Sequence, residues 1–76
     1  MKIFVKTFTA EKVEVEVEET DTVAALKKKF AAVKNGIPEE QIDFMFQGKR
    51  LVNEKTLQSY KITEGSLVFM VIVCFG

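Results

Sequence analysis

Any chemistry in this chain has to come from a few side chains: Cys74, the row Glu14, Glu16 and Glu18, the run Lys27-Lys28-Lys29, and four isolated glycines. A nucleophilic cysteine needs a base beside it. The chain has no His, so only a Lys or a carboxylate could serve Cys74, which reads as an incidental thiol in a tail that frays. With one Cys and no His there is no intrachain disulfide and no Cys/His zinc cluster, which suits a reducing compartment. General acid–base work needs two carboxylates held in different environments. Glu14, Glu16 and Glu18 alternate with valines and read as one solvated strand face. Gly36, Gly48, Gly65 and Gly76 stand alone, so no glycine-rich phosphate loop exists. The lysine run complements a helix dipole and packs its aliphatic stems. The expectation is a protein that is not an enzyme, with no catalytic residue, metal, cofactor or small-molecule substrate.

Composition narrows the partners. Seventy-six residues allow a single domain, 1–76, and eleven basic residues against eleven acidic ones give a net charge of zero. That balance removes the global basic field used for non-specific nucleic-acid or acidic-membrane binding, so neither partner is expected. The hydrophobic fraction of 47% with seven Phe supplies a real core. Charges interrupt the N-terminus before any signal-peptide core forms, and the longest apolar run, Leu67 to Phe75, is about half of a bilayer span. A soluble, monomeric protein of the cytoplasm and/or nucleus is expected.

The elements that position side chains follow from periodicity. Met1 to Thr7 alternates at strand period with Met1, Ile3 and Val5 inward, and Lys12 to Glu18 does so with Val13, Val15 and Val17 inward. The link Phe8-Thr9-Ala10-Glu11 has hairpin length but lacks the usual turn glycine. Thr20-Asp21-Thr22 offers N-cap oxygens to a helix over Val23–Lys34 whose core stripe is Val23, Leu26, Phe30 and Val33. Asn35-Gly36 signals its end and Pro38 prevents its resumption. Gln41 to Phe46 returns to strand period with Ile42, Phe44 and Phe46 inward, followed by a turn at Gln47-Gly48-Lys49 and a strand stub at Arg50-Leu51. Lys55 to Tyr60 suits one helical turn carrying Leu57. The closing strand puts Leu67, Phe69, Val71 and Val73 on one face and Val68, Met70 and Ile72 on the other. One helix covers one face of a mixed sheet of four to five strands, an α+β roll.

The uncovered face is the feature with functional content. Counting by twos turns Phe8, Met45, Val68 and Met70 away from the helix, together with Phe4 and Ile72. Such a cluster suits a shallow docking patch, and methionine can repack against different ligands. Lys6, Lys49 and Arg50 would rim it and steer acidic peptides.

Met1-Lys2-Ile3-Phe4-Val5-Lys6-Thr7, Asp21-Thr22, Gly36-Ile37-Pro38, Phe46-Gln47-Gly48-Lys49 with Leu51, Thr56-Leu57 and Tyr60 together resemble the ubiquitin family in order and nearly in spacing. The resemblance runs from Met1 to about Val73, with one extra residue near the helix end and one missing after Ile62. It implies a β-grasp fold. It also places the family's recognition patch on Phe8, Met45, Val68 and Met70, with Gly48 and Lys49 beside it. Secondary surfaces fall on Ile37, Val71 and Ile72, and on Phe4. The implied partners are ubiquitin-interacting helices, ubiquitin-associated domains and proteasome receptors.

Departures from the family pattern bear on the mode of action. Conjugation in the family uses a flexible basic tail ending in two glycines, whereas this chain reads Val71-Ile72-Val73-Cys74-Phe75-Gly76, without Arg and with a bulky Phe75. The ending Gly65-Ser66-Leu67-Val68-Phe69-Met70-Val71 is instead similar to the non-conjugated ubiquitin-like domains of proteasome-shuttle proteins, and with that tail it implies a binding module not competent for C-terminal conjugation. Ala10 replaces the family's turn glycine, and Asn53 the acidic residue that faces Lys27. The alanine-rich helix, regular glutamate row and apolar tail also suit a ubiquitin-fold sequence redesigned without a native partner, the second reading. A conjugated modifier is the third reading.

Overall fold

The alternation of valine with charge from Lys2 to Glu16 folds back on itself as an antiparallel hairpin, β1 (Lys2–Lys6) and β2 (Lys12–Glu16). The computed structural model describes residues 1–34 and 38–73. The hairpin turn closes through Thr7 and Glu11, with the Ala10 N–H donating to the Thr7 carbonyl and Ala10 itself at φ 68°. Ile3 and Val5 of β1 and Val13 and Val15 of β2 are buried, leaving the lysines and glutamates outside.

Helix α1 (Val23–Val33) starts where the sequence supplies its cap. The Thr22 hydroxyl accepts from the Ala25 N–H at 3.2 Å, and the Asp21 carboxylate accepts from the Glu18 N–H at 3.0 Å and binds Lys29. Lys34 closes the helix by donating its N–H to the Phe30 carbonyl. The expected Asn35-Gly36 stop lies outside the described residues. Val23, Leu26 and Phe30 are buried, and Val33, expected on the same stripe, is 55% exposed at the last turn.

A 3-10 turn (Glu39–Gln41) leads into β3 (Ile42–Phe46), which pairs antiparallel with the short β4 (Lys49–Arg50). A second 3-10 turn (Gln58–Tyr60) precedes β5 (Leu67–Ile72). The five strands are ordered β2-β1-β5-β3-β4, and β1 with β5 is the parallel pair. This is the β-grasp arrangement, one helix on one face of a mixed sheet. Phe30 of the helix meets Phe44 of β3 edge to face, with centroids 5.8 Å apart and planes at 84°. Around that pair sit Ile3, Val5, Val15, Leu26, Leu57 and Ile62, each almost inaccessible. None of the described helices is long and apolar enough to cross a membrane.

One expectation is reversed. Val68 is fully buried and Met70 is 5% exposed, so neither belongs to an uncovered face. The ladders give the reason: Val68 stands beside Val5, Met70 opposite Phe44, and Ile72 opposite Ile42, all three neighbours being core residues. Cross-strand partners share a face, so Val68 and Met70 point at the helix and Ile72 packs partly buried against the same core. Leu67, Phe69 and Val71 take the outer face instead. Placing a missing residue after Ile62 slides every later position by one, and a one-residue slip inverts both faces of a strand.

Candidate protein-docking surface

The sheet face opposite α1 is built by the alternate residues left over when the core takes its share. In ladder register, one row runs across all five strands: Lys12 faces Lys6, Lys6 lies beside Phe69, Phe69 opposes Met45, and Met45 opposes Arg50. At the usual strand spacing this row is roughly 19 Å long. The next row is Glu14, Phe4 and Leu67, and on the other side Val71 opposes Asp43. Phe69 is 47% exposed, while Met45, Phe4, Leu67 and Val71 are half-buried. Phe8, two residues beyond Lys6 on the same parity, is 71% exposed in the hairpin turn.

Of the expected patch, the structure therefore keeps Phe8 and Met45 on the surface and moves Val68 and Met70 into the core. Gly48 is exposed, and its φ of +79° is the reason for glycine in the β3–β4 turn. Lys49 is exposed too, but it opposes Phe46, a buried residue, so by parity it leaves the sheet on the helix side and does not rim the apolar row. Phe4, Val71 and Lys6 do lie on the outer face. Ile72 does not, and Ile37 lies outside the described residues. The residue missed from sequence is Phe69. Every position of the closing strand is apolar, so only the pairing with β1 and β3 tells its faces apart.

Electrostatics divide this face in two. Towards the sheet end carrying Glu14 and Glu16, charges are paired: Lys2 lies 3.7 Å from Glu14, and the N-terminal amine 3.5 Å from Glu16. Arg50 is held by Asp43, its Nε donating at 2.8 Å. Asp43 also receives Lys27 from α1 at 3.7 Å, so Lys27 finds its acid here rather than at position 53. Among the described residues, Lys6 and Lys12 have no acidic partner although they stand directly opposite each other. Like charges so placed repel, and an anion arriving from outside would relieve the repulsion.

An aromatic ring and a thioether sit in the centre of a sheet, with cations at both ends of their row. The ubiquitin family model matches residues 3–73. The full chain aligns with a NEDD8-like protein, RUB3, of Arabidopsis thaliana at 33% identity over 76 residues, covering 96% of that protein. It aligns with ubiquitin-like protein 1 of Schizosaccharomyces pombe at 32%, again over 96% of the relative, and with the ubiquitin-like protein NEDD8 of Dictyostelium discoideum at 33%, over 97%. Five strands in this order around one helix, the family match over residues 3–73, and relatives about one-third identical that the chain covers almost in full together establish that it belongs to the ubiquitin family.

Proposed function

We propose that this chain is a protein-recognition module of the ubiquitin-like kind, docking amphipathic helices on the outer face of its sheet. The observation that supports the reading is the row Lys12, Lys6, Phe69, Met45 and Arg50, which sets two apolar side chains between cations. A helix with an apolar stripe and flanking acids would bury Phe69 and Met45 and neutralise the opposed Lys6 and Lys12. Burying a few such side chains, each worth roughly 1.5–3 kcal/mol before entropic losses, corresponds to binding on the order of micromolar. Rim charge would set the rate and its salt dependence more than the affinity.

The test is an amide NMR titration with a ubiquitin-interacting helix. Saturable shifts centred on Phe69, Met45 and Lys6, lost in Phe69→Ser, are the expected result. Absent shifts, or shifts confined to the Glu14–Glu18 side, would overturn the reading.

A second reading, covalent attachment as a modifier, is favoured by kinship with proteins named for NEDD8. Against it stands the bulky apolar sequence Val73-Cys74-Phe75. Val73 is moreover tied to the sheet, its N–H donating to the Gln41 carbonyl at 2.7 Å. Incubation with a ubiquitin-like activating enzyme and ATP decides between them. Formation of a thioester establishes the modifier, and its absence leaves the binding module.

A further inference from the structure

The β3–β4 turn is tight because Gln47 and Gly48 both take positive φ, 53° and 79°. Two such residues make a two-residue hairpin, which sets Lys49 directly opposite Phe46 and so, by parity, on the helix side of the sheet. The 3-10 turn Gln58–Tyr60 approaches the same place and ends at Lys61, which is left-handed at φ 61° and ψ 32°. A lysine there costs about 1 kcal/mol relative to glycine, yet it carries a charge to the rim of a cavity. That cavity, of about 230 Å³, is lined by Phe46, Gln47, Lys49, Ser59, Tyr60 and Lys61.

Its chemistry is one-sided. Phe46 is buried and supplies the apolar part, and among the described residues no carboxylate is in the lining. Lys49 and Lys61 have no ion-pair partner among the described residues. The Tyr60 hydroxyl accepts from the Val52 N–H at 2.8 Å, which fixes the ring and leaves its proton to donate. Lys55 stands over the same ring, 5.9 Å from its centroid, and adds positive potential. Two lysines, a tyrosine and a glutamine therefore line a concave site that, among the described residues, has no acidic side chain in its wall.

We propose that this cavity binds a phosphate monoester group. The charge match decides the class: such a group carries about −1.5 to −2 at neutral pH and offers three acceptor oxygens, enough to pair both lysines at once. A carboxylate can touch both lysines but carries a single charge and would neutralise only one of them. The site is separate from the Phe69–Met45 row, and its occupancy does not depend on the docking reading.

The experiment is an amide NMR titration in phosphate-free buffer at fixed ionic strength, with inorganic phosphate, N-acetyl-phosphoserine amide and acetate as probes. Saturable shifts of Gln47, Lys49 and Lys61, with a dissociation constant on the order of millimolar for the phosphates and several-fold weaker for acetate, are expected. Lys49→Gln and Lys61→Asn should each weaken phosphate roughly fivefold. Asparagine tolerates the left-handed backbone, so the second variant removes the charge without unfolding the turn. Phe69→Ser should leave phosphate binding unchanged, which separates this site from the docking face. Tighter binding of the phosphoserine amide assigns the source to a phosphorylated side chain of a partner, and tighter binding of inorganic phosphate to a small phosphorylated molecule. Linear shifts without saturation, equal response to acetate, or unaltered binding in the doubly substituted protein would overturn the proposal.

Discussion

Met45 and Phe69 oppose each other across the antiparallel β3–β5 ladder, on the side of the sheet away from the helix. Their chain neighbours Phe44 and Met70 form the next pair, and that pair is buried against α1. One residue of displacement along β5 thus separates a surface contact from a core contact.

The two neighbours should respond oppositely to substitution. Phe69→Ser removes a half-exposed ring and should cost less than about 1 kcal/mol of stability, while abolishing helix docking. Met70→Ala opens a cavity beside Phe44 and should cost about 2–5 kcal/mol, with residual docking where the protein is folded. Urea denaturation of both variants, followed by titration at a concentration of urea where each is native, measures the contrast. Equal destabilisation of the two would contradict the register.

How much of this could be read from the chain depended on whether a strand had one polar face. Val13, Val15 and Val17 alternate with Glu14, Glu16 and Glu18, so their burial followed from period alone. The helix was equally legible, since Thr22, the alanines and the stripe Val23, Leu26 and Phe30 agree on one register. Leu67 to Ile72 carries no polar residue to mark the outside. Its orientation is set by partners distant in sequence, Val5 and Phe44, which no local pattern reports. The same holds for Lys49, whose side depends on the turn at Gln47-Gly48, and for Asp43, which gathers Lys27 and Arg50 from separate elements.

Asp43 ties the sheet to α1 through Lys27 and to β4 through Arg50. Lys27 and Asp43 are each 14% exposed, whereas Arg50 is 64% exposed. Asp43→Asn leaves the Lys27 ammonium partly buried without its counter-charge and should cost about 1–3 kcal/mol. Arg50→Gln, at the exposed end, should cost less than about 1 kcal/mol. Chemical denaturation of both variants, and of Lys27→Met alone and combined with Asp43→Asn, isolates the pair. A coupling energy near zero would show that Asp43 acts only through Arg50.

Asp21 should make the acid limb of stability steeper. Its carboxyl is held below its ordinary value of 3.8, first by the Glu18 N–H that it accepts and then by Lys29. A carboxyl whose folded pKa is depressed contributes stability above its unfolded pKa and loses it as pH falls through the folded one. The contribution is therefore complete above about pH 5 and declines below 3.8. Asp21→Asn keeps an oxygen for the Glu18 N–H but cannot titrate, so its urea midpoint should vary less between pH 5 and pH 2. Parallel pH curves for the two proteins would refute this assignment.

The hairpin turn offers a gain in stability. Ala10 stands at φ 68°, where an alanine pays about 1–2 kcal/mol for the left-handed backbone. Ala10→Gly relieves that strain at the cost of a more flexible unfolded chain, worth about 0.4–1 kcal/mol. The balance should raise stability by about 0.5 kcal/mol, moving the thermal midpoint upward by a few degrees for a domain of this size. The Thr7 carbonyl still receives the residue 10 N–H, so the register of β1 on β2 and the opposition of Lys6 to Lys12 are kept. Scanning calorimetry of the variant checks the sign. A lower midpoint would mean that the Ala10 methyl group, exposed as it is, makes contacts in the turn that outweigh the backbone strain.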